Sequence, residues 1–442
     1  MEISYGIEGF FMFNNRFLEN TTLNSGYGCF HPETLQIYVS GNINEDGLNN
    51  DQKQILRHEK LHYLHFTSKT LGINFIRNNL KELQNISTWK NESMTYSQIN
   101  SIHSAVVKNN KLKSILTVPS YYFEQGKRYG ERRNPDSWKI TTSVGTFFKE
   151  NGQLSDQNFI MQRYYAGDPY NPNDLVARVS IGTKYLYEHL IKFIDMMTDM
   201  EIHGAEEAYT LHYERAYYGP LLPYSALALL CARYNVIGLN AFILSAIISH
   251  IALMVPLKWN KQTKGLRNYV EKIIRKEIGR QNYSFRMCHP SIVVYGLLNK
   301  AIEKGATKIN FLSFFDDKNN YEKLNEYIDD LSGSLGFSTD DLFTMCEEEL
   351  KRLRRTSVKD IVLLNLKEKL IKEIENNLVI QKENFGKYII KPHETIYDPF
   401  ISLDNTVFPG NLTSHDEREH LLYLIDQRDE MLRFSIERNL ID

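Results

Sequence analysis

The chain is poor in cysteine and has no motif built from it. Its four cysteines, at 29, 231, 288 and 346, include no C-x-x-C pair, which argues against a disulfide framework and a thiolate zinc site. An excess of either charge is also missing. Against 54 Asp and Glu stand 52 Lys and Arg, a formal net charge of -2, so no bulk field draws the chain to nucleic acid. The opening Met1-Glu2-Ile3-Ser4 has neither the basic nor the apolar region of a secretory signal, and with scattered thiols it predicts a cytoplasmic protein. No repeat of fixed period is present. One long run does lack charge: Val236 to Pro256 contains no Asp, Glu, Lys or Arg and is long enough to cross a bilayer. Asn240, Ser245, Ser249 and His250 interrupt it, so a helix buried in a large core is the better reading, and no membrane partner is expected.

What is present is a chain of 442 residues, 42% apolar and 12% aromatic, enough for a large core and more than one domain. Residues 3 to 40 are strand-rich, with candidates at Ile3 to Phe13 and Gln36 to Val39. From Asp51 the apolar period turns helical and no Pro or Gly intervenes until Gly72. Residues 119 to 180 are irregular apart from a strand at Trp138 to Phe148, and Gly167 to Asn173 is a strong turn signal. Helices then follow at Gly182 to Met200, Ala205 to Tyr218 and through 225 to 255. The charged C-terminal part has helical stretches near 265–280, 291–304, 320–332 and 339–385, with Ser338 as a cap.

Inside the first long helix stands His58-Glu59-Lys60-Leu61-His62. Residues four apart share a helix face one turn along, so both imidazoles can reach one tetrahedral ion. Neutral imidazoles with one carboxylate suit Zn2+ and leave a fourth position for water. Glu59 can reach that water and act as general base. Chance places H-E-x-x-H in roughly a few per cent of chains of this composition. His65 continues the face but lies about 10 Å along the axis from His58, too far for the same ion, and reads as a core or supporting histidine.

The missing ligand should be a carboxylate from another helix, and two compete. Glu188 lies on a helix whose Lys184, Glu188, Lys192 and Asp195 form a stripe that could equally be a solvated ion-paired face. Glu207 has small neighbours that allow a close helix approach, and shares a face with Glu214. On chemistry alone Glu207 ranks slightly ahead. An oxyanion stabiliser is also required; Tyr217, Tyr218, His203 and His212 are near in sequence, and Tyr224 in Leu222-Pro223-Tyr224 is the candidate chosen.

The stretch His58 to Gly72, HEKLHYLHFTSKTLG, resembles the H-E-x-x-H-x-x-Q-x-x-x-T-x-x-G helix of glutamate-type zincin-like zinc metallopeptidases of bacteria. Gly182, Leu186 and Glu188 match the downstream G-x-x-x-L-x-E element that supplies the third ligand in that group. His65 replaces the usual Gln, and His189-Leu190-Ile191 stands where small residues normally follow, a feature Glu207-Ala208 fits better. The resemblance covers about the first 255 residues. It implies a zincin-like catalytic region, and with the helical stretches beyond Lys258 the expectation is an α+β fold, a predominantly helical zincin-like catalytic region with an N-terminal sheet at 1–257, followed by a helical C-terminal region at 258–442. It also implies extended substrates held by strand addition, for which Gln36 to Val39 is the edge-strand candidate.

The basic clusters Lys127 to Arg133 and Lys351 to Arg355 read as solvated surface, and His415 to His420 as helix-start charge rather than a metal site. The expectation is a zinc-dependent endopeptidase acting on a protein or peptide substrate, with a possible regulatory protein partner and no nucleic acid. The alternatives are a non-catalytic binding or regulatory protein on the same scaffold, and a toxin or antiviral effector protease held inactive until triggered.

Overall fold

The computed structural model describes residues 28–33, 35–39, 50–91, 123–124, 139–148, 154–165, 167–171, 174–216, 225–277, 285, 287–315, 321–383, 385–390, 400–403, 406–409 and 415–437. They form a mostly helical α+β structure with two antiparallel sheets. The candidate strand at Ile3 to Phe13 lies outside these residues.

The first sheet has the order β1-β2-β8-β7, from β1 (Gly28–His31), β2 (Gln36–Val39), β7 (Phe400–Leu403) and β8 (Thr406–Pro409). It corrects two expectations. The N-terminal sheet is completed by strands from the far end of the chain, with Ile37 opposite Val407. And β2 is no edge: β1 pairs along one side and β8 along the other, so at Ile37 and Tyr38 its backbone is engaged on both sides. Among the described residues the edges are β1 and β7. The second sheet, β3-β6-β5-β4, joins β3 (Phe123–Glu124), β4 (Lys139–Phe148), β5 (Leu154–Tyr165) and β6 (Leu175–Val179). Of these only β4 falls in a stretch read as a strand from the sequence, Trp138 to Phe148. In β5, Asn158, Phe159 and Ile160 are all buried, as are Tyr164 and Tyr165, which blurs the period-two signal.

Helix α1 (Asn50–Ser68) stops at Lys69 and α2 (Thr70–Asn91) starts at once in a new direction. A Cβ on Gly72 would lie 1.9 Å from the carbonyl oxygen of Phe66, so only glycine fits this joint. Phe66 locks it, with ring contacts to Phe30 of β1, Phe75 of α2 and Tyr187. Next come α3 (Thr183–His203) and α4 (Ala205–Ala216), separated at Gly204 with φ 91°. After α5 (Ala226–Arg233) comes α6 (Leu239–Met254), buried from Ala241 to Met254. No helix among the described residues is long and apolar enough to cross a membrane.

The remaining helices are α7 (Lys264–Glu277), α8 (Pro290–Glu303), α9 (Glu322–Gly333), α10 (Thr339–Arg354), α11 (Ile361–Glu383), α12 (Phe385–Ile390) and α13 (His415–Glu437). Ser338 and Asp341 cap α10 reciprocally. The predicted stretch 339–385 is broken into α10 and α11 by residues 355–360, where Asp360 accepts from the amides of Val362 and Leu363 and starts the second helix. Helix α10 packs on α2, and α11 on α1. Polar ties cross the same contacts: Asn377 Nδ2 donates to Thr67 Oγ1 at 3.0 Å, and Lys69 Nζ to Gln381 Oε1 at 2.9 Å. One core runs through Leu61, Ile191 and Ile247 to Leu342 and Leu424, continuous across residue 257.

Candidate metal centre

Helix α1 carries its histidines on the side that meets α3, and here the stripe read as a possible solvated face is the facing surface. His58 Nε2 and His62 Nε2 lie 3.2 Å apart. Glu188 reaches both, with Oε2 3.8 Å from His58 Nε2 and Oε1 3.6 Å from His62 Nε2. Ligands at about 2.0–2.2 Å from a tetrahedral ion are separated by roughly 3.3–3.6 Å, and the three spacings, 3.2, 3.6 and 3.8 Å, lie close to that range. Among the described residues His58, His62 and Glu188 form the one group of three or more such side chains whose ligand atoms all lie within 4.8 Å of one another. Two imidazoles and one carboxylate suit Zn2+. The side chains of His58, His62 and Glu188 keep 28%, 13% and 15% of their exposure, which leaves solvent access for a fourth ligand.

Asp195, two turns beyond Glu188 on α3, accepts from His58 Nδ1 at 2.6 Å. That bond engages Nδ1 and leaves Nε2 as the atom turned toward His62 and Glu188, the arrangement of a carboxylate supporting a metal-binding histidine. Arg57 stands 3.6 Å from the other Asp195 oxygen. Burial lowers the affinity of the His58 ring for a proton, but the carboxylates of Asp195, Glu59 and Glu188 together outweigh it, and the pKa is raised to about 10.

The two glutamates are driven apart. Burial alone would raise both. For Glu188 the His62 and His58 imidazoles and Lys184 prevail and hold the carboxyl down to about 2. For Glu59 burial prevails over His62, His58 and a backbone N–H from Phe30 of β1, and its pKa is raised. Opposite shifts in neighbouring carboxyls separate a permanent anion from a group suited to accept and return a proton.

Of the two candidate third ligands, then, Glu188 joins the histidines. Glu207 does not: it is exposed on α4 and no member of the group. The small neighbours that favoured it serve packing instead, Ala208 being buried. Tyr217, Tyr218 and Tyr224 lie outside the described residues. His65 is buried in the core, His203 is exposed, and His212 bonds Asp199 at 2.9 Å. The cluster at 127–133 is outside the described residues, while in 351–355 Arg352 pairs with Glu349 and Arg354 with Glu375. Asp195 was missed in its role, although its seven-residue spacing from Glu188 placed it on the same face. Comparison of the chain with protein-family models, curated proteins and solved structures yields no match, so the reading of this centre rests on its own geometry and chemistry.

Proposed function

We propose that this chain is a zinc-dependent endopeptidase whose metal is held by His58, His62 and Glu188. The observation that carries the reading is the convergence of those three side chains with Glu59 at one partly open place between α1 and α3. Zinc bound there would supply a Lewis acid and bring the pKa of water down toward neutrality.

The protein's own residues do the rest. Asp195 holds the His58 ring by Nδ1 and leaves Nε2 for the metal. Glu59 accepts a proton as the water oxygen bonds to the substrate carbonyl carbon, and returns it to the amine nitrogen as the carbon–nitrogen bond breaks. Free acid and free amine are the products. The Phe30 amide bonded to Glu59 belongs to β1, an edge strand among the described residues. Strand addition, assigned from sequence to β2, is therefore proposed for the side of β1 that no described strand pairs.

The test is cleavage of a peptide library read by mass spectrometry. Zinc-loaded wild type should cut it, and Glu59→Gln should retain zinc while losing about 10²–10⁴-fold in rate. Equal cutting by the two would remove Glu59 from the chemistry.

A further inference from the structure

The even charge of the whole chain conceals one local excess. From Lys258 to Glu277 stand seven basic residues and two acidic ones, and one of the two, Glu271, is shared by Arg267 at 3.0 Å and Arg275 at 3.9 Å. Positions 264, 268, 272 and 275 fall on one side of α7, because steps of three and four return to the same face. Lys264, Asn268, Lys272 and Arg275 are all exposed, as are Lys261 just before the helix and Lys276 in its last turn. Between 264 and 275 this cationic line runs about 16 Å along the helix axis.

The other side of α7 belongs to the core. Leu266, Val270 and Ile274 are buried, and two glycines allow close seating. A Cβ on Gly296 of α8 would lie 2.6 Å from the side chains of Leu266 and Val270, and one on Gly265 2.2 Å from the carbonyl oxygen of Leu335. The basic face is thus carried by a helix seated on α8 and on the turn after α9, and little ordering is left to be paid on binding.

What accompanies the charge decides what the face can hold. Among the described residues no large apolar side chain is exposed between 258 and 308, so the face has no anchor for a lipid surface. Two aromatic rings are half-buried there, and each has a cation over it, Arg267 at 5.8 Å from the Trp259 ring and Lys300 of α8 at 4.6 Å from that of Tyr269. Such rings offer little to the bases of a single strand, which bind by stacking. The phosphates of a duplex require neither an apolar anchor nor an open ring. They require a row of fixed cations.

We propose that the exposed face of α7 is a docking surface for duplex nucleic acid, held through its phosphate oxygens without reading of sequence. Lys264, Lys272 and Lys276 neutralise phosphates and release their counterions, so affinity falls steeply as salt rises. The surface is built from helices that carry none of His58, His62 and Glu188, and the inference does not rest on the peptidase reading.

The experiment follows the fluorescence anisotropy of a labelled duplex of about 20 base pairs, titrated with the full chain between about 50 and 200 mM salt. Wild type should bind at the low end and lose affinity steeply toward the high end. Lys264→Gln, Lys272→Gln and Lys276→Gln combined should weaken binding at least about tenfold, and reduce the slope of log affinity against log salt by about two to three. Lys323→Gln, Lys351→Gln and Lys359→Gln combined remove the same charge from exposed positions elsewhere, and should change affinity less than about twofold. Absence of binding at about 50 mM salt, or equal weakening by the two triple variants, would overturn the proposal. So would co-sedimentation of the chain with phosphatidylserine vesicles under conditions where the duplex is not bound, which would assign the face to a lipid surface.

Discussion

At the scale of single residues, one hydrogen bond from outside the group of His58, His62 and Glu188 reaches into it. The 2.6 Å contact from His58 Nδ1 to Asp195 orients the ring. Asp195→Asn can still accept through its amide oxygen but without the charge. It is expected to weaken zinc about 10–100-fold with little change in the fold, measured by competition with a chromophoric chelator. His58, Glu59 and His62 were legible because helix geometry alone brings i and i+4 together. Glu188 was legible only as one of two, since nothing local says which of several helices will lie against α1. The partner of Asp195 was hidden for the same reason: an amphipathic charge stripe looks alike whether it faces water or another helix.

At the scale of elements, the joint between α1 and α2 determines where the histidines point. Helix α1 ends at Ser68 and α2 begins at Thr70, and the closeness of Gly72 to the Phe66 carbonyl leaves no room for a side chain. Gly72→Ala must push these backbones apart, and is expected to destabilise the chain by about 2–4 kcal/mol, a drop visible in the denaturant midpoint. An unchanged midpoint would mean that the joint has slack. Sequence punctuation marked Gly72 as the first break after Asp51, while the actual bend at Lys69 carries no breaker residue and could not be read. Strands β1 and β2 show a similar limit. The run Gln36 to Val39 reads as a strand from its residues, but its partner β8 lies some 370 positions away in the chain (Ile37 opposite Val407), and pairing at that separation leaves no local trace.

Across the whole molecule, a buried basic cluster ties the end of helix α1 to the rest. Lys69 at the α1–α2 joint meets His250 of α6 at 3.1 Å and Gln381 of α11 at 2.9 Å, with no exposure to solvent. Burial lowers the proton affinity of Lys69, His250 and the neighbouring His65 well below the ordinary values. The unfolded chain therefore binds more protons at these groups, so each of the two histidines makes stability fall as pH drops below about 6.5. Glu59, whose pKa is raised, acts in the opposite sense as it nears its own titration. His250→Gln isolates the cluster: between pH 6.5 and 5 its stability should decline less steeply than wild type, by up to roughly 1.4 kcal/mol per pH unit, in chemical denaturation at each pH. Parallel slopes would show that His250 takes up its proton without unfolding. The apolar helix α6 was legible as core from its length and its interrupting polar residues. That its His250 meets a lysine from the α1–α2 joint was not, because contact between residues 69 and 250 is a product of the assembled core.

The measurement that reaches the central claim most directly is zinc K-edge absorption on the chain loaded with one equivalent of metal. Nitrogen and oxygen neighbours at about 2.0–2.1 Å and no sulfur are expected, with the spectrum altered by Glu188→Gln and unaltered by Glu207→Gln. Failure to take up zinc, a sulfur shell at about 2.3 Å, or indifference to Glu188→Gln would contradict a centre built from His58, His62 and Glu188.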